Sequence, residues 1–291
     1  MEIVKLLEKG FIEIATVMRD ANSISLGNIT EHNNNSGDDV KTMDLISNAI
    51  LMDILMKCEQ VRTIGSEEED TLCETGFKNA PYLVCYDPLD GSSNIDANIT
   101  TGTIFCIYKY NDDGTITNGH NIVASGYSIY GAATQYLVAH NDTLRFYQYS
   151  NKRQQFDLLH DNIRIKSKGG IYSINESSKK TWLDTRYEKF VDKCIDDKYS
   201  CRWVGCMAAD GHRTVIKGGV FAYPANKKDT SGKIRLLYEG YPFAHIFHIG
   251  GGFSSNGSIS ILDIPFPKNI HQKIPIILSG IYEKELFESI A

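Results

Sequence analysis

Apolar residues recur at helical spacing along the first 21 positions of the chain. Ile3, Leu7, Phe11 and Ile14 would share one face, and charged residues are dispersed between them. The spacing predicts an amphipathic helix packed against a core. The dispersed charges exclude the uninterrupted apolar stretch that a signal peptide requires.

A second helix is predicted over residues 43–56 from the same periodicity. Its apolar residues Leu45, Ile46, Ile50, Ile54 and Leu55 are expected on or near one face. Short runs of β-branched and aromatic residues predict buried strands at 82–86, 103–108, 123–130 and 133–138.

The second half of the chain alternates in the same way. Helices are predicted at 180–197, 207–217 and 240–249, and strands from 171, at 218–223, at 234–238 and at 274–278. Strands and helices mixed throughout favour a layered α/β fold. The polar, mixed-charge stretch 151–168 predicts a boundary between a domain of residues 1–163 and a domain of residues 164–291.

Composition narrows the class of protein. The 291 residues include 30 Lys+Arg and 36 Asp+Glu, a net charge of −6, which argues against nucleic-acid binding. No run approaches the length of a membrane span. The seven cysteines are odd in number and form no C-x-x-C pair, which is typical of reduced, buried thiols in a cytoplasmic protein.

The segment Asp87-Pro-Leu-Asp-Gly-Ser-Ser-Asn94 directly follows a predicted strand and carries the most chemistry. Pro88 would turn the chain, so that Asp87 and Asp90 could point into one space. Gly91 would let the backbone approach a ligand, and the hydroxyl residues after it are typical of a helix N-terminus. Carboxylates suit a hard divalent cation, and free backbone N–H groups suit a phosphate.

Other acidic residues could join this turn. Glu67 and Glu68 follow an apolar run, although such a loop is more often simply solvated. Asp38 and Asp44 flank the start of a predicted helix, where the helix dipole alone favours acids. Glu239 follows the predicted strand 234–238. If these carboxylates converge, their mutual repulsion predicts two or more Mg²⁺ or Mn²⁺ ions.

The string Asp87-Pro-Leu-Asp-Gly-Ser-Ser-Asn-Ile-Asp96 closely resembles the signature of the fructose-1,6-bisphosphatases, class I type, in the lithium-sensitive sugar-phosphatase superfamily. Further blocks resemble that family in its order along the chain, among them 37–44, 66–68, 172–176, 202–207, 223–228 and 233–239. The resemblance implies a layered α/β/α/β/α sandwich.

The resemblance also implies a role for each matching residue. Metal ligands would be Glu67, Asp87, Leu89 through its carbonyl, Asp90 and Glu239. Asp38, Asp44 and Glu68 would position and deprotonate the attacking water. Substrate-binding residues would be Asp90, Gly91, Ser92, Ser93, Asn175, Arg202, Trp203, Gly205, Met207, Tyr223, Lys233 and Arg235.

The implied activity is gluconeogenic hydrolysis of the 1-phosphate of fructose 1,6-bisphosphate by in-line attack of a metal-activated water. Arg202 would cross into a neighbouring subunit's site, which implies a homo-oligomer, a tetramer or a dimer. Two alternatives remain open: a related enzyme such as a sedoheptulose-1,7-bisphosphatase, and a catalytically silent sugar-phosphate sensor.

This chain departs from the family pattern at several positions. Trp203 and Ser178 stand where tyrosines are usual, which predicts weaker binding of the 6-phosphate. Pro81 and Lys109 replace a Lys and an Arg, and the chain starts almost directly at the helix that follows the family's AMP-binding loop. We therefore expect no regulation by AMP. His245 and His248 have a spacing compatible with zinc, but a packed helix is the preferred interpretation.

Overall fold

The computed structural model describes residues 1–19, 29–33 and 39–290. Its helices are α1 (Glu2–Arg19), α2 (Thr42–Met56), α3 (Arg186–Asp196), α4 (Met207–Lys217), α5 (Tyr241–Gly250) and α6 (Ile281–Glu288). Within the described ranges, no helix combines the length and the apolar character needed to cross a bilayer.

The strands of the first half are β1 (Ile29–Asn33), β2 (Asp39–Lys41), β3 (Val61–Ser66), β4 (Cys73–Glu74), β5 (Tyr82–Asp90), β6 (Thr101–Lys109), β7 (Ile122–Tyr130), β8 (Thr134–His140), β9 (Thr143–Ser150) and β10 (Gln155–His160). Those of the second half are β11 (Ile171–Ile174), β12 (Ser200–Cys201), β13 (Val220–Tyr223), β14 (Ile234–Arg235), β15 (Phe253–Ser255), β16 (Lys273–Ile274) and β17 (Ile276–Ser279).

Two sheets organise these strands. The larger has eight strands in the order β10-β9-β8-β7-β6-β5-β3-β4, antiparallel except for the parallel pair β3 and β5. The smaller has five strands in the order β12-β11-β13-β17-β15 and is mixed. The pairs β1–β2 and β14–β16 form short ribbons.

Helices and sheets alternate in five layers. Helices α1 and α2 cover one face of the large sheet, and α4 and α5 lie between the two sheets. Helices α3 and α6 cover the outer face of the small sheet. The predicted α/β/α/β/α sandwich is therefore confirmed.

The first helix follows its apolar pattern. Ile3, Leu7, Phe11 and Ile14 are completely buried against α2 and the large sheet. Burying side chains of this size contributes roughly 1.5–3 kcal/mol each before the entropy cost of folding is counted.

Four sequence predictions differ from the structure. The strand expected at 274–278 is divided at Pro275 into β16 and β17, which belong to different sheets. Strand 234–238 stops at Arg235, and residues Leu236–Gly240 form one π-helical turn. The polar stretch 151–168 contains an edge strand, β10. The helix expected over 180–197 begins only at Arg186, after a 3-10 turn at Glu176–Thr181.

Helix α2 also buries a different face from the one expected. Leu45 is 44% exposed, whereas Asp44, Ser47 and Asn48 are buried beside Leu51. Its inward face is thus partly polar, and this is the face that reaches the cavity described next.

Candidate active site

An open cavity of about 490 Å³ lies where the large sheet, α4 and the β14 segment meet. It is lined by almost every predicted site residue that the structure describes, namely Asp44, Glu67, Glu68, Asp87, Leu89, Asp90, Gly91, Ser92, Ser93, Asn175, Trp203, Gly205, Met207, Tyr223, Lys233, Arg235 and Glu239. Two predicted residues are not among them. Asp38 falls outside the described residues, and Arg202 is exposed and does not line the cavity.

A bulge in β5 brings Asp87 and Asp90 together. Residues three apart on a regular strand point to opposite faces of the sheet. Here Asp87 lies opposite Ile104 and Asp90 opposite Gly102, so three steps along β5 match two along β6. The extra residue rotates Asp90 onto the side of Asp87. Pro88, which has no N–H to donate, lies within the bulge.

Hydrogen bonds hold this bulge in place. The Asp87 Oδ1 atom accepts from the Leu89 amide at 3.0 Å, and Thr103 Oγ1 donates to the Pro88 carbonyl at 2.8 Å. The sequence predicted a sharp turn at Pro88, whereas the structure has a bulge that continues the strand. Asp87 and Asp90 nevertheless come together, as expected.

Glu239 joins the two aspartates from the π-helical turn. Oxygen atoms of Asp87, Asp90 and Glu239 lie within 4.8 Å of one another. The Arg235 amide donates to Glu239 Oε2 at 2.5 Å, which closes the turn and directs the carboxylate into the cluster. Single π-turns of this kind are frequent at functional sites.

The cluster carries more negative charge than its surroundings neutralise. Burial, followed by the neighbouring carboxylates of Glu67, Asp90 and Glu239, raises the pKa of Asp87 well above its usual value. Burial likewise raises the pKa of Asp90 to about 6 and that of Glu239 to about 8. Carboxylates with such pKa values retain protons that a cation would displace.

Arg235 provides a positive charge beside this cluster. Its Nη2 atom lies 2.8 Å from Glu67 Oε1, and the two side chains are only 8% and 11% exposed. An ion pair so shielded from water is weakly screened. Arg235 therefore holds Glu67 at the edge of the cavity and faces the place where an anion would meet the cluster.

The loop after β3 presents Glu67 and Glu68. Asn48 of α2 fixes this loop, because its Oδ1 accepts from Ser66 Oγ at 2.8 Å and from Tyr86 Oη at 2.9 Å. Its Nδ2 donates to Glu69 Oε1 at 3.0 Å. Asp44 lies one helical turn before Asn48 and lines the cavity. The same helix therefore positions Asp44 and the acidic loop.

Gly91 marks the transition from β5 to a short 3-10 helix at Ser92–Ala97. Its φ of 77° is in the left-handed region that favours glycine. A Cβ at this position would lie 2.6 Å from that of Cys206. Ser92 and Ser93 follow and also line the cavity.

A second group of lining residues is aromatic and cationic. The Trp203 ring stacks on Phe221 at 6.2 Å and lies 5.6 Å from the Tyr223 ring, measured between centroids. The Lys233 ammonium lies 5.9 Å from the Tyr223 ring. Asn175 caps the 3-10 turn that begins at Glu176, its Oδ1 accepting from the Ser177 amide at 3.2 Å. Ser178 does not line the cavity.

Sequence reasoning missed four lining residues: Cys206, Asp210, Phe221 and Ile234. Cys206 donates to Asp90 Oδ2 at 3.0 Å, and the Ala208 amide donates to the same oxygen at 2.5 Å. Asp90, at the end of β5 in the large sheet, thereby caps the N-terminus of α4. The residue that supplies this cap is more than a hundred positions away in the sequence, so no local pattern predicts it.

His245 is packed inside the fold, as the preferred interpretation of this histidine pair expects, whereas His248 is exposed. His245 Nδ1 shares a hydrogen bond with Ser125 Oγ at 2.9 Å, and burial lowers the pKa of His245 to about 4. All seven cysteines carry free thiols; five are buried, Cys73 is partly exposed and Cys201 is exposed.

Comparisons with known proteins identify the family of the chain. Family models described as "Fructose-1-6-bisphosphatase, N-terminal domain" and "Fructose-1-6-bisphosphatase, C-terminal domain" match residues 1–161 and 165–289. A class 1 fructose-1,6-bisphosphatase of Sulfurihydrogenibium sp. is 40% identical over 281 residues, covering 95% of this chain and 86% of that protein. Fructose-1,6-bisphosphatase 1 of Bos taurus is 40% identical over 279 residues, covering 92% and 82%.

Structural similarity extends over nearly the whole chain. The crystal structure of Leishmania major fructose-1,6-bisphosphatase in holo form superposes with a TM-score of 0.94 at 30% sequence identity. The match covers 99% of this chain and 93% of that one. On these matches, the chain belongs to the fructose-1,6-bisphosphatase family.

Proposed function

We propose that this protein hydrolyses the 1-phosphate of fructose 1,6-bisphosphate, giving fructose 6-phosphate and phosphate in a gluconeogenic step. The observation that carries the proposal is the composition of the cavity lining. It combines a cluster of acids, two of them buried, with a second group of a lysine and aromatic residues. Such a cavity suits a ligand with a phosphate at each end and a sugar between them.

The acidic end fits divalent cations. Three carboxylates within 4.8 Å, two of them buried, form an oxygen donor set that repels itself unless positive charge is added. We assign Glu67, Asp87, Asp90, Glu239 and the Leu89 carbonyl as ligands of Mg²⁺ or Mn²⁺, with two or more ions in each site. When bound, the ions would neutralise phosphoryl charge and make a water more acidic.

The remaining groups bind and orient the substrate. Gly91, Ser92 and Ser93 supply backbone N–H groups and hydroxyls to the 1-phosphate, and Arg235 adds a buried positive charge beside them. Asp44, Glu68 and Asp38 orient the attacking water and accept its proton. The serines thus serve as hydrogen-bond donors, and no phosphorylated enzyme is required.

The distal end binds the sugar and the 6-phosphate. Asn175, Tyr223, Lys233 and Trp203 are assigned to the phosphate, and Gly205 and Met207 lie alongside the sugar. Tyr223 and Trp203 donate hydrogen bonds, and Lys233 adds a cationic charge.

Arg202 is assigned to a neighbouring subunit's site. Its side chain is exposed at the surface, while its backbone is fixed at the rim of this cavity. The assignment requires a homo-oligomer, a dimer or a tetramer. A cytoplasmic location is part of the same proposal, supported by the seven free thiols.

Phosphorus NMR of the reaction mixture tests the proposal. With fructose 1,6-bisphosphate and Mg²⁺, the 1-phosphate resonance should disappear and the 6-phosphate resonance should persist. Asp44→Asn and Glu68→Gln should slow that loss by at least about a hundredfold, the usual contribution of a positioned acid or base. Loss of the 6-phosphate first, or full activity in both variants, would contradict the proposal.

A further inference from the structure

The loop 202–205 presents Trp203 and Gly205 to the cavity but belongs to no helix or strand. It connects β12 to α4, so beyond the Arg202 amide no sheet ladder among the described residues satisfies its backbone groups. Backbone N–H and C=O groups in such a setting need other partners. In this loop, side chains of α4 provide most of those partners.

Asp210, in the first turn of α4, accepts from two consecutive amides of the loop. Its carboxylate oxygens lie 3.1 Å from the Val204 nitrogen and 3.0 Å from the Gly205 nitrogen. Asp210 is completely buried. Gly205 has a φ of 82°, so the carboxylate holds the loop at its tightest bend.

Arg213, one turn further along α4, holds the other end of the loop. Its Nη2 atom forms an ion pair with Asp210 and donates to the Arg202 carbonyl at 2.9 Å. The same atom donates to Ser173 Oγ at 2.7 Å, on the strand that ends just before Asn175. The Arg202 amide in turn donates to the Tyr172 carbonyl at 3.0 Å.

We propose that the Asp210–Arg213 pair is a positioning device that holds loop 202–205, and the β11 end beside it, in the shape that binds the distal phosphate. This inference rests on the function proposed above, because it assigns the pair to the distal end of that substrate site. Asp210 lines the cavity, yet its carboxylate is engaged by the loop and by Arg213. It therefore acts through the loop rather than on the substrate.

The pair should determine affinity more than the rate of the chemical step. The residues it fixes belong to the distal end, whereas the acidic cluster is built on β5 and the π-helical turn. A loop that is no longer held must be ordered by the substrate itself, which weakens binding. The pair also fixes the backbone of Arg202, so the same disturbance would reach the residue assigned to the neighbouring site.

Two measurements on Asp210→Asn, Arg213→Lys and Ser173→Ala test the proposal. The first is the separation of KM from kcat for fructose 1,6-bisphosphate at saturating Mg²⁺. The first two variants should raise KM about tenfold or more, as expected for lost hydrogen bonds to a charged group, and change kcat less than about threefold. Ser173→Ala should raise KM by a smaller factor.

The second measurement needs no activity. The chain contains two tryptophans, Trp182 and Trp203. In a Trp182→Phe background only Trp203 is left, so its fluorescence reports on the loop. Acrylamide should quench its fluorescence about twofold more effectively in the Asp210 and Arg213 variants than in the background protein, because the freed loop exposes the indole. Asp184→Asn, which breaks an Asp–Arg pair with Arg186 outside the cavity, is the matched control and should change neither quantity.

Unchanged KM and quenching in folded Asp210→Asn or Arg213→Lys would overturn the proposal, as would a fall in kcat at constant KM. If Asp210→Asn does not fold, Arg213→Lys and Ser173→Ala decide by the same criteria. If the wild type releases no phosphate from fructose 1,6-bisphosphate, the proposed function fails. The quenching experiment then still decides whether the pair holds the loop.

Discussion

Asp87 is buried among three other carboxylates, and that environment determines two opposite effects of replacing it. Asp87→Asn removes a ligand, and we expect kcat to fall by about three orders of magnitude, on the order of 4 kcal/mol. In metal-free protein Asp87 must take up a proton to be buried among these carboxylates, a cost that Asn does not have, so the melting temperature at neutral pH should rise. Phosphate-release kinetics and calorimetry in EDTA measure the two effects.

The matched control for this variant is Asp196→Asn, an exposed aspartate at the end of α3. It should leave both quantities unchanged. An Asp87→Asn protein that keeps a tenth of wild-type turnover at saturating Mg²⁺ would contradict the ligand assignment.

Trp203 is the residue at which this chain departs from the family pattern inside the cavity. Its indole can only donate one hydrogen bond, and its ring is stacked on Phe221. Trp203→Tyr should lower KM for fructose 1,6-bisphosphate roughly two- to tenfold, the range of one hydrogen bond. Trp182→Tyr, in the core behind the small sheet, should leave KM unchanged. A KM that stays the same or rises in Trp203→Tyr would remove the idea of a weakened distal pocket.

At the scale of elements, the sequence predicts what periodicity and composition control. Helix α4 has the predicted bounds and the strands from β5 to β8 lie where they were expected, because their apolar patterns are clear. The π-helical turn at Leu236–Gly240 was missed, since Ile-Arg-Leu-Leu-Tyr has the composition of a buried strand. Contacts made by Arg235 and Glu239 in the folded protein decide between the two.

Helix α2 shows that hydrophobic patterning also fails to predict which face of a helix lines the site. Its apolar residues predicted a helix correctly, but the buried face contains Asp44, Ser47 and Asn48 instead of Leu45. Hydrophobic patterning assumes that the core is apolar. Here the helix faces the cavity: Asp44 lines it, Asn48 is hydrogen-bonded to the acidic loop, and the Ser47 hydroxyl is buried without a hydrogen-bond partner among the described residues.

Asn48 is the residue of α2 whose contribution to stability and activity can be measured. Asn48→Ala would leave Ser66, Tyr86 and Glu69 without the partner that joins them to α2. We expect the free energy of unfolding to fall by about 1–3 kcal/mol and kcat to fall as well, because the acidic loop after β3 is no longer fixed. Denaturant unfolding and steady-state kinetics measure both.

The control for this variant is Asp53→Ala, on the exposed face of the same helix. Asp53 forms an ion pair with Lys57, and both side chains are well exposed, so its loss should change stability little and kcat not at all. Equal effects of Asn48→Ala and Asp53→Ala would contradict the role assigned to Asn48.

At the scale of the whole molecule, the acidic cluster links stability, pH and metal. The pKa of Asp90 rises from 3.8 to about 6 and that of Glu239 from 4.5 to about 8 in the folded, metal-free protein. These two carboxyl groups bind more protons in the folded state, whereas the buried His212 and His245, whose pKa falls from 6.5 to about 4, bind fewer below about pH 6.5. The excess of protons on the folded state therefore lies between about pH 6.5 and pH 8. The free energy of unfolding must fall as the pH rises through that window.

A divalent cation competes with those protons, so its affinity should rise over the same pH window. Melting temperatures from pH 5 to pH 9, in EDTA and in Mg²⁺, test the linkage, with Glu239→Gln expected to flatten the EDTA curve. A metal-free protein that becomes more stable from pH 6.5 to pH 8 would contradict the electrostatics described for the cluster.

The most direct test of the whole account is phosphate release from a panel of substrates with and without Mg²⁺. The panel contains fructose 1,6-bisphosphate, sedoheptulose 1,7-bisphosphate, fructose 6-phosphate and inositol 1-phosphate. The account predicts that fructose 1,6-bisphosphate has the highest kcat/KM and that EDTA abolishes its hydrolysis. A clear preference for the sedoheptulose ester would move the assignment to the related bisphosphatase. Absence of release from every compound with Mg²⁺ or Mn²⁺ would contradict the assignment of this cavity as a phosphatase site.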